Sequence, residues 1–240
     1  MPGPSALSTA LSTALSNPYP ADRPQRLHSG ANPRIPPAHR VMLVRHARSH
    51  VDPACDASEW GLSEEGHAAA RRLTALALFD HAAGFYTGPE PKLRQTLGPV
   101  AAAHGQAVQA EPDFAETRSA GWLGTEAFLD TVRRLFAAPD EPPAEGWEPA
   151  SAAAARFAAG VERLCARHDP VVHPGHALPG TFAVASGGRA LVSYLARLLG
   201  YGPDQAFETW RRLRLPDLAV VDLAPEQPPR LVIPFGALGL

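Results

Sequence analysis

Apolar and polar positions alternate along this chain in blocks that switch between strand and helix periods. Val41 to Val44 form a continuous apolar run that ends abruptly at Arg45-His46. A short run of this kind suits a strand buried on both faces of a sheet. A loop from His50 to Gly61, broken by Pro53, follows. Leu62, Gly66, Ala69, Leu73 and Leu76 then recur at helical spacing, with Ser63 as N-cap and Glu64 and Glu65 at the positive end of the helix dipole. Gly84 to Thr87 reads as a second strand, Lys92 to Ala103 as a helix, Ala107 to Ala110 as a short strand and Asp113 to Gly121 as an irregular loop.

Further on, Glu126 to Phe136 reads as a helix, a Pro-rich connection runs through Pro149, and Ala150 to Arg167 forms a long Ala-rich helix. Phe128, Phe136, Phe157 and Phe207 read as core. His168 to Gly180 reads as a loop, Thr181 to Ala185 as another buried strand ending at Ser186-Gly187-Gly188, and Arg189 to Leu199 as a helix stopped by Gly200. A short helix spans Phe207 to Arg212, and Leu218–Leu223 with Arg230–Pro234 form a closing hairpin. Strands alternating with helices in this way predict an α/β fold: a three-layer α/β/α sandwich with helices on both faces of a mostly parallel sheet, made mixed by the hairpin.

Residues 1–38 differ from the rest. They are rich in Pro, Ser, Ala and Thr, and Ala6 to Ser16 repeats a four-residue unit. This reads as a disordered low-complexity tail, followed by one folded domain over residues 39–240. Hydrophobic residues make up 45% of the chain and charged residues 19%, an ordinary globular balance. A net charge of −2 gives no general attraction for nucleic acid or an anionic membrane, and no apolar stretch approaches the length of a membrane span. The two cysteines, Cys55 and Cys165, are far apart and read as reduced thiols of a cytoplasmic protein.

The chemistry gathers at three strand-to-loop junctions: Arg45-His46, Thr87 to Lys92, and Ser186-Gly187-Gly188. In open α/β sheets ligands bind beyond the carboxyl ends of strands. Arg45 offers a planar fork for phosphate oxygens, Lys92 a compact positive charge, and Gly187-Gly188 a helix start whose N–H groups favour an anion. His168, His173 and His176 complete no familiar metal-ligand spacing and read as a solvated loop; no metal or cofactor is expected.

These motifs resemble the histidine phosphatase superfamily, also called phosphoglycerate-mutase-like. Val44-Arg45-His46-Ala47-Arg48-Ser49 resembles its R-H-G-x-[ST] signature, and Leu62-Ser63-Glu64-Glu65-Gly66 its L-[ST]-x-x-G helix start. Tyr86 to Thr96 resembles its S-P-x-x-R-x-x-Q-T segment, and Val184 to Gly188 its V-x-H-G-G segment. The resemblance implies that His46 is a nucleophile carrying a phosphohistidine, that Arg45 holds the phosphoryl oxygens, and that Glu116 falls near the position of the general acid. That acid must hold a proton, which calls for a raised pKa. Lys92, Ser186, Gly187, Arg48 and Asp52 fall at or near positions that would meet the substrate, a small phosphorylated molecule.

Lys92 stands where the family has a second Arg, Ser186 where it has its second His, Asp52 where many members have Asn, and Gly88 where Ser is usual. No mutase-type E-R-H-Y-G segment is present. Two functional classes follow: a phosphomonoesterase acting through His46, and a degenerate member that binds a phosphoryl ligand or partner without turnover. One of the histidines of the 168–180 loop could also reach back to replace the missing His. The segment Gly105–Gly180 is expected to form the lid.

Overall fold

The computed structural model describes residues 39–121, 123–168, 171–173, 176–178, 180–224 and 227–240, of which 171–173 and 176–178 are described as backbone only. The described residues form eight strands and six helices; the strands are β1 (His39–Arg45), β2 (Phe85–Thr87), β3 (Val108–Ala110), β4 (Val171–His173), β5 (His176–Leu178), β6 (Gly180–Ser186), β7 (Asp217–Leu223) and β8 (Arg230–Ile233). The helices are α1 (Glu64–Arg72), α2 (Pro91–Ala103), α3 (Thr125–Ala137), α4 (Ala150–Arg167), α5 (Gly188–Leu199) and α6 (Pro203–Arg212). The main sheet has the order β3-β2-β6-β1-β7-β8. β3, β2, β6 and β1 run parallel, while β7 and β8 are antiparallel, so the sheet is mixed as expected.

Alternation along β1 divides the core into two layers. Met42 and Val44 pack with Leu73, Phe79, Phe85, Leu93 and Leu97 under α1 and α2. Val41 and Leu43 face the other way, against Phe157, Val161, Leu191, Tyr194 and Leu195 of α4 and α5. A third cluster, including Val132, Phe136, Trp147, Phe207 and Trp210, joins α3 to α5 and α6. Phe136, Phe157 and Phe207 are core residues; Phe128 is only half-buried.

Local boundaries move for identifiable reasons. The first helix ends at Arg72, and Leu73 and Leu76 lie in or beside two 3₁₀ turns while remaining buried. The last helix starts at Pro203, where a proline at the first turn costs no hydrogen bond. The expected loop from His168 to Gly180 instead holds the antiparallel pair β4–β5, its first strand opened by two β-branched valines. Two parts of the expected lid belong to the layers instead: β3 joins the sheet edge, and α4 packs on α5. Among the described residues, no helix is long and apolar enough to cross a membrane.

The helix start at Ser63 is fixed from both sides. The Ser63 hydroxyl accepts the Gly66 N–H at 3.1 Å and donates to the Arg48 carbonyl, which also accepts the Ser63 N–H. A Cβ on Gly66 would come 2.1 Å from that carbonyl oxygen, so the loop after His46 can lie on α1 only because residue 66 is glycine. Gly66→Ala is therefore expected to cost about 1–3 kcal/mol, a fall in Tm of roughly 2–4 °C per kcal/mol for a domain of this size. Gly98→Ala, in α2 with nothing within 4 Å of the new Cβ, is expected to raise Tm instead. Thermal unfolding of both variants checks this; equal shifts would refute the close approach.

Candidate functional site

β1, β2 and β6 are adjacent and parallel, so their carboxyl ends share one edge. In register, Arg45 faces Ser186 and Thr87 faces Ala185. The His46 N–H continues the pairing to the Ser186 carbonyl at 3.3 Å. The three junctions picked out in the sequence therefore meet.

His46 is half-buried, with its Nδ1 2.8 Å from the Ala47 carbonyl oxygen. A carbonyl accepts only, so Nδ1 carries the proton and Nε2 keeps its lone pair. Burial, together with the charges of Arg45 and Lys92, lowers its pKa to about 4 against the opposing pull of the Ala47 carbonyl and Glu116. The imidazole is neutral over the physiological range. Ala47 is held in turn by Thr96, whose Oγ1 accepts the Ala47 N–H at 2.9 Å and donates to the Lys92 carbonyl at 2.7 Å.

Arg45 donates through Nη1 to the Leu213 carbonyl at 2.7 Å and to that of Arg214 at 3.3 Å. That loop is braced by Asp217, which accepts the N–H groups of Arg214, Leu218 and Gly236 at 2.8–2.9 Å. Burial lowers the Arg45 pKa to about 10, with Glu116 and Asp217 pulling the other way, so it stays a cation. Lys92 is buried, donates from Nζ to the Ala57 carbonyl and lies over the Trp60 ring. Burial pulls its pKa down, opposed mainly by Glu116 and Glu90.

Glu116 occupies the N-terminus of α5. Its Oε1 accepts the N–H of Ala190 at 2.9 Å and of Thr117 at 2.7 Å; Oε2 lies 3.4 Å from the Arg189 N–H and 3.7 Å from Arg189 Nε. Gly187 makes the approach possible, since a Cβ there would lie 2.0 Å from Oε2. Burial pushes this carboxyl up, but Arg189, the two N–H groups and Lys92 outweigh it and hold it below the usual carboxylate range. The raised pKa expected for Glu116 is therefore corrected: at rest it is an ionised carboxylate. The anion on the Gly187-Gly188 helix start is the chain's own.

Three expected contacts do not reach the site. Ser186 is fully buried and its hydroxyl donates to the Phe114 carbonyl at 2.7 Å, which uses the proton it would have offered a phosphoryl oxygen. Arg48 points outward to Glu65 at 3.0 Å. Asp52 is exposed and caps its own turn by accepting the Ala54 N–H. Of the histidines proposed to replace the missing one, His168 is the one whose side chain is described, and it is engaged elsewhere. The His168 ring is bonded to the Tyr86 hydroxyl at 2.7 Å beside Gly84, at the start of β2. The side chains of His173 and His176 lie outside the described residues.

Arg156, Glu148 and Glu90 escaped sequence reasoning, whereas Arg189 is one of the arginines that could ring the site on sequence grounds. Arg156 donates to the carbonyls of Asp113 and Ala115 at 2.7 and 3.0 Å and pairs with the buried Glu148 at 2.9 Å, pinning the loop that carries Glu116. Arg189 is buried against the adjacent Trp147 and Phe128 rings, 4.8 and 5.6 Å from their centroids. Glu90 is buried beside Glu116. A buried charge is normally matched, but no spacing in the sequence pairs residues 90 with 116 or 148 with 156. Among the described residues no group of three or more His, Cys, Asp or Glu side chains is placed to hold a metal.

The comparisons agree with this architecture. The profile of the histidine phosphatase superfamily (branch 1) matches residues 41–228. No curated protein matches the sequence significantly. Among solved structures, a mycobacterial glucosyl-3-phosphoglycerate phosphatase superposes with a TM-score of 0.66 at 16% identity, over 82% of this chain and 98% of that one. An Escherichia coli protein described as a putative alpha-ribazole-5'-P phosphatase gives 0.61 at 16% identity, over 83% and 97%. An Entamoeba histolytica phosphoserine phosphatase mutant, in complex with phosphoserine, gives 0.61 at 14%, over 83% and 98%. At these identities the likeness is one of fold, while the profile spans most of the domain and the motifs fall in its order. The chain belongs to the histidine phosphatase superfamily, branch 1.

Proposed function

We propose that the protein hydrolyses small phosphomonoesters through a phosphohistidine on His46. The observation that carries this reading is a neutral imidazole with Nδ1–H spent on the Ala47 carbonyl and Nε2 left as a nucleophile beside the cations Arg45 and Lys92. Nε2 attacks phosphorus, the ester P–O bond breaks, and the leaving oxygen takes a proton. Water then attacks the phosphohistidine, the N–P bond breaks, and orthophosphate and neutral His46 are regenerated. Covalent catalysis of this kind divides one displacement into two easier ones, and Arg45 and Lys92 match the charge on the phosphoryl oxygens. Related solved structures hold inorganic phosphate or phosphoserine, which fits a small phosphorylated substrate.

Glu116 is the proton donor in this reading. It rests ionised, so it must gain a proton when a phosphoryl dianion arrives, since a neighbouring like charge raises a carboxyl pKa. The two unpaired cysteines, Cys55 and Cys165, fit a reducing cytoplasm.

One observation favours the second reading, a site that binds a phosphoryl ligand without turnover. The Ser186 hydroxyl is committed to the Phe114 carbonyl, so one donor to the transition state is missing. A single such donor is worth about 10²–10³ in rate.

Hydrolysis of p-nitrophenyl phosphate from pH 4.5 to 8 by wild type and His46→Ala separates the two. Phosphatase action predicts turnover that His46→Ala abolishes, and an alkyl phosphate cleaved at least tenfold more slowly, because its poorer leaving group leans harder on Glu116. No turnover with any ester, alongside retained binding of inorganic phosphate, establishes the second reading. The state of the nucleophile has its own check. ¹⁵N NMR of His46 is expected to show protonated Nδ1 and bare Nε2 until the pH approaches about 4; a midpoint near 6.5 contradicts it.

A further inference from the structure

Glu90 is a buried carboxylate that the reaction just described does not use. It stands at the N-cap of α2, yet its side chain makes no capping hydrogen bond. Instead Oε1 accepts the peptide N–H of Glu116 at 2.8 Å, while Oε2 is shut off from solvent with no hydrogen-bond partner. The residue is 5% exposed, which leaves no water shell to offset that isolation. Gly88 makes the placement possible: a Cβ there would lie 2.5 Å from Glu90 Oε2 and 2.5 Å from the Phe114 carbonyl oxygen. Glycine at the position where the family usually has Ser is thus matched to a carboxyl filling the adjacent space.

We propose that Glu90 is the positioning residue for Glu116: its carboxyl, with one oxygen on the Glu116 peptide N–H and the other bare and buried, fixes that peptide, and the charge of each side chain bears on the other. This inference rests on the phosphatase reading only for its kinetic consequence.

The physical case begins with the cost of burying a carboxyl that has a bare oxygen against the peptide of a second buried carboxyl. Glu116 has the better surroundings for ionisation, with the Ala190 and Thr117 N–H groups and the Arg189 guanidinium. Glu90 has one N–H and a bare oxygen. Burial accordingly pushes the Glu90 carboxyl up, and Glu116 adds to the shift, while the Glu90 and Glu116 peptide N–H groups and Lys92 oppose it. Two carboxyls driven apart in this way divide the roles of proton holder and anion between them. The titratable groups facing the pair are the cations Lys92 from α2, Arg189 from α5 and Arg45 from the end of β1, with the neutral His46 beside them. Arg156 from α4 grips the same loop through the carbonyls of Asp113 and Ala115. When Glu90 does lose its proton, its charge favours the protonated form of Glu116, the form a leaving group needs.

Thermal unfolding between pH 4.5 and 8 tests the pair without reference to activity, using wild type, Glu90→Gln, Glu116→Gln and the double variant. A carboxyl whose folded pKa is raised contributes stability below its unfolded pKa and loses it as the pH climbs through the folded value. Glu90→Gln keeps the acceptor oxygen and removes the charge. Its Tm is expected to match wild type at pH 4.5 and to exceed it by at least about 2 °C at pH 7.5. In the Glu116→Gln background that gain shrinks. A gain that is absent, or equal with and without Glu116, overturns the coupling of the two charges.

Kinetics with p-nitrophenyl phosphate test the positioning role. Glu90→Leu, which abolishes the acceptor, should lose at least about tenfold in kcat. Glu90→Gln should retain most of it, with the basic limb of its kcat profile moved to lower pH by about a unit. Equal kcat in the two variants with superimposable pH profiles overturns that role. An inactive wild type would count against the phosphatase reading, and the unfolding data would still decide the pair.

Discussion

A carboxylate buried at the N-terminus of a helix organises the catalytic edge of this domain. Glu116 sits on the first peptide N–H groups of α5, where helix dipole and unpaired donors favour negative charge. Removing a charge from water is costly unless it is matched on all sides, and the neighbouring residues answer that requirement. Gly187 leaves room for the carboxylate, and Arg189 brings an opposite charge held against two aromatic rings. Glu90 takes the Glu116 N–H and Arg156 the carbonyls before it. Ser186 belongs to the same assembly: its hydroxyl ties down the Phe114 carbonyl two residues upstream of Glu116. The residue standing where the family has a histidine has become a fastening for the loop that carries the acid.

Seen from the nucleophile, that loop completes an enclosure begun by the sheet. β1 delivers Arg45 and His46 to the same level as the ends of β2 and β6, and the Arg45 side chain is braced by the Leu213–Arg214 loop, itself folded around Asp217. Burial among cations keeps the imidazole neutral, and the Ala47 carbonyl fixes which nitrogen carries the proton. In the proposed reaction His46 therefore needs no base to activate it. In that proposal the demanding part is delivering a proton to the leaving group, and it falls to the very carboxylate that the helix terminus prefers ionised.

The sequence revealed the parts of this arrangement that depend on local pattern. The apolar run before Arg45 marked a buried strand, the Ser63–Gly66 helix start is capped as its residues demand, and Gly200 closes α5 in the left-handed region. The three junctions were identifiable because polar residues broke apolar runs at strand ends. What stayed hidden depends on partners distant in sequence. Ser186 looked like a phosphate donor because nothing near it in the chain announces the Phe114 carbonyl. Glu116 looked like a group with a raised pKa because its burial was foreseeable, whereas the two N–H groups of another element were not. Asp52 and Arg48 follow the nucleophile closely, but the Gly66 contact turns their loop away along α1. The β4–β5 pair was missed because Pro and His content pointed to a loop, while only three residues in each strand carried the opposite signal.

The central claim is that His46 Nε2 takes the phosphoryl group. Rapid mixing of wild type with ³²P-labelled p-nitrophenyl phosphate, quenched in alkali and followed by peptide mapping, tests it most directly. The account predicts one label on His46, stable in alkali, lost in acid and absent from His46→Ala. Turnover that leaves no such label, or label that persists in His46→Ala, would contradict it.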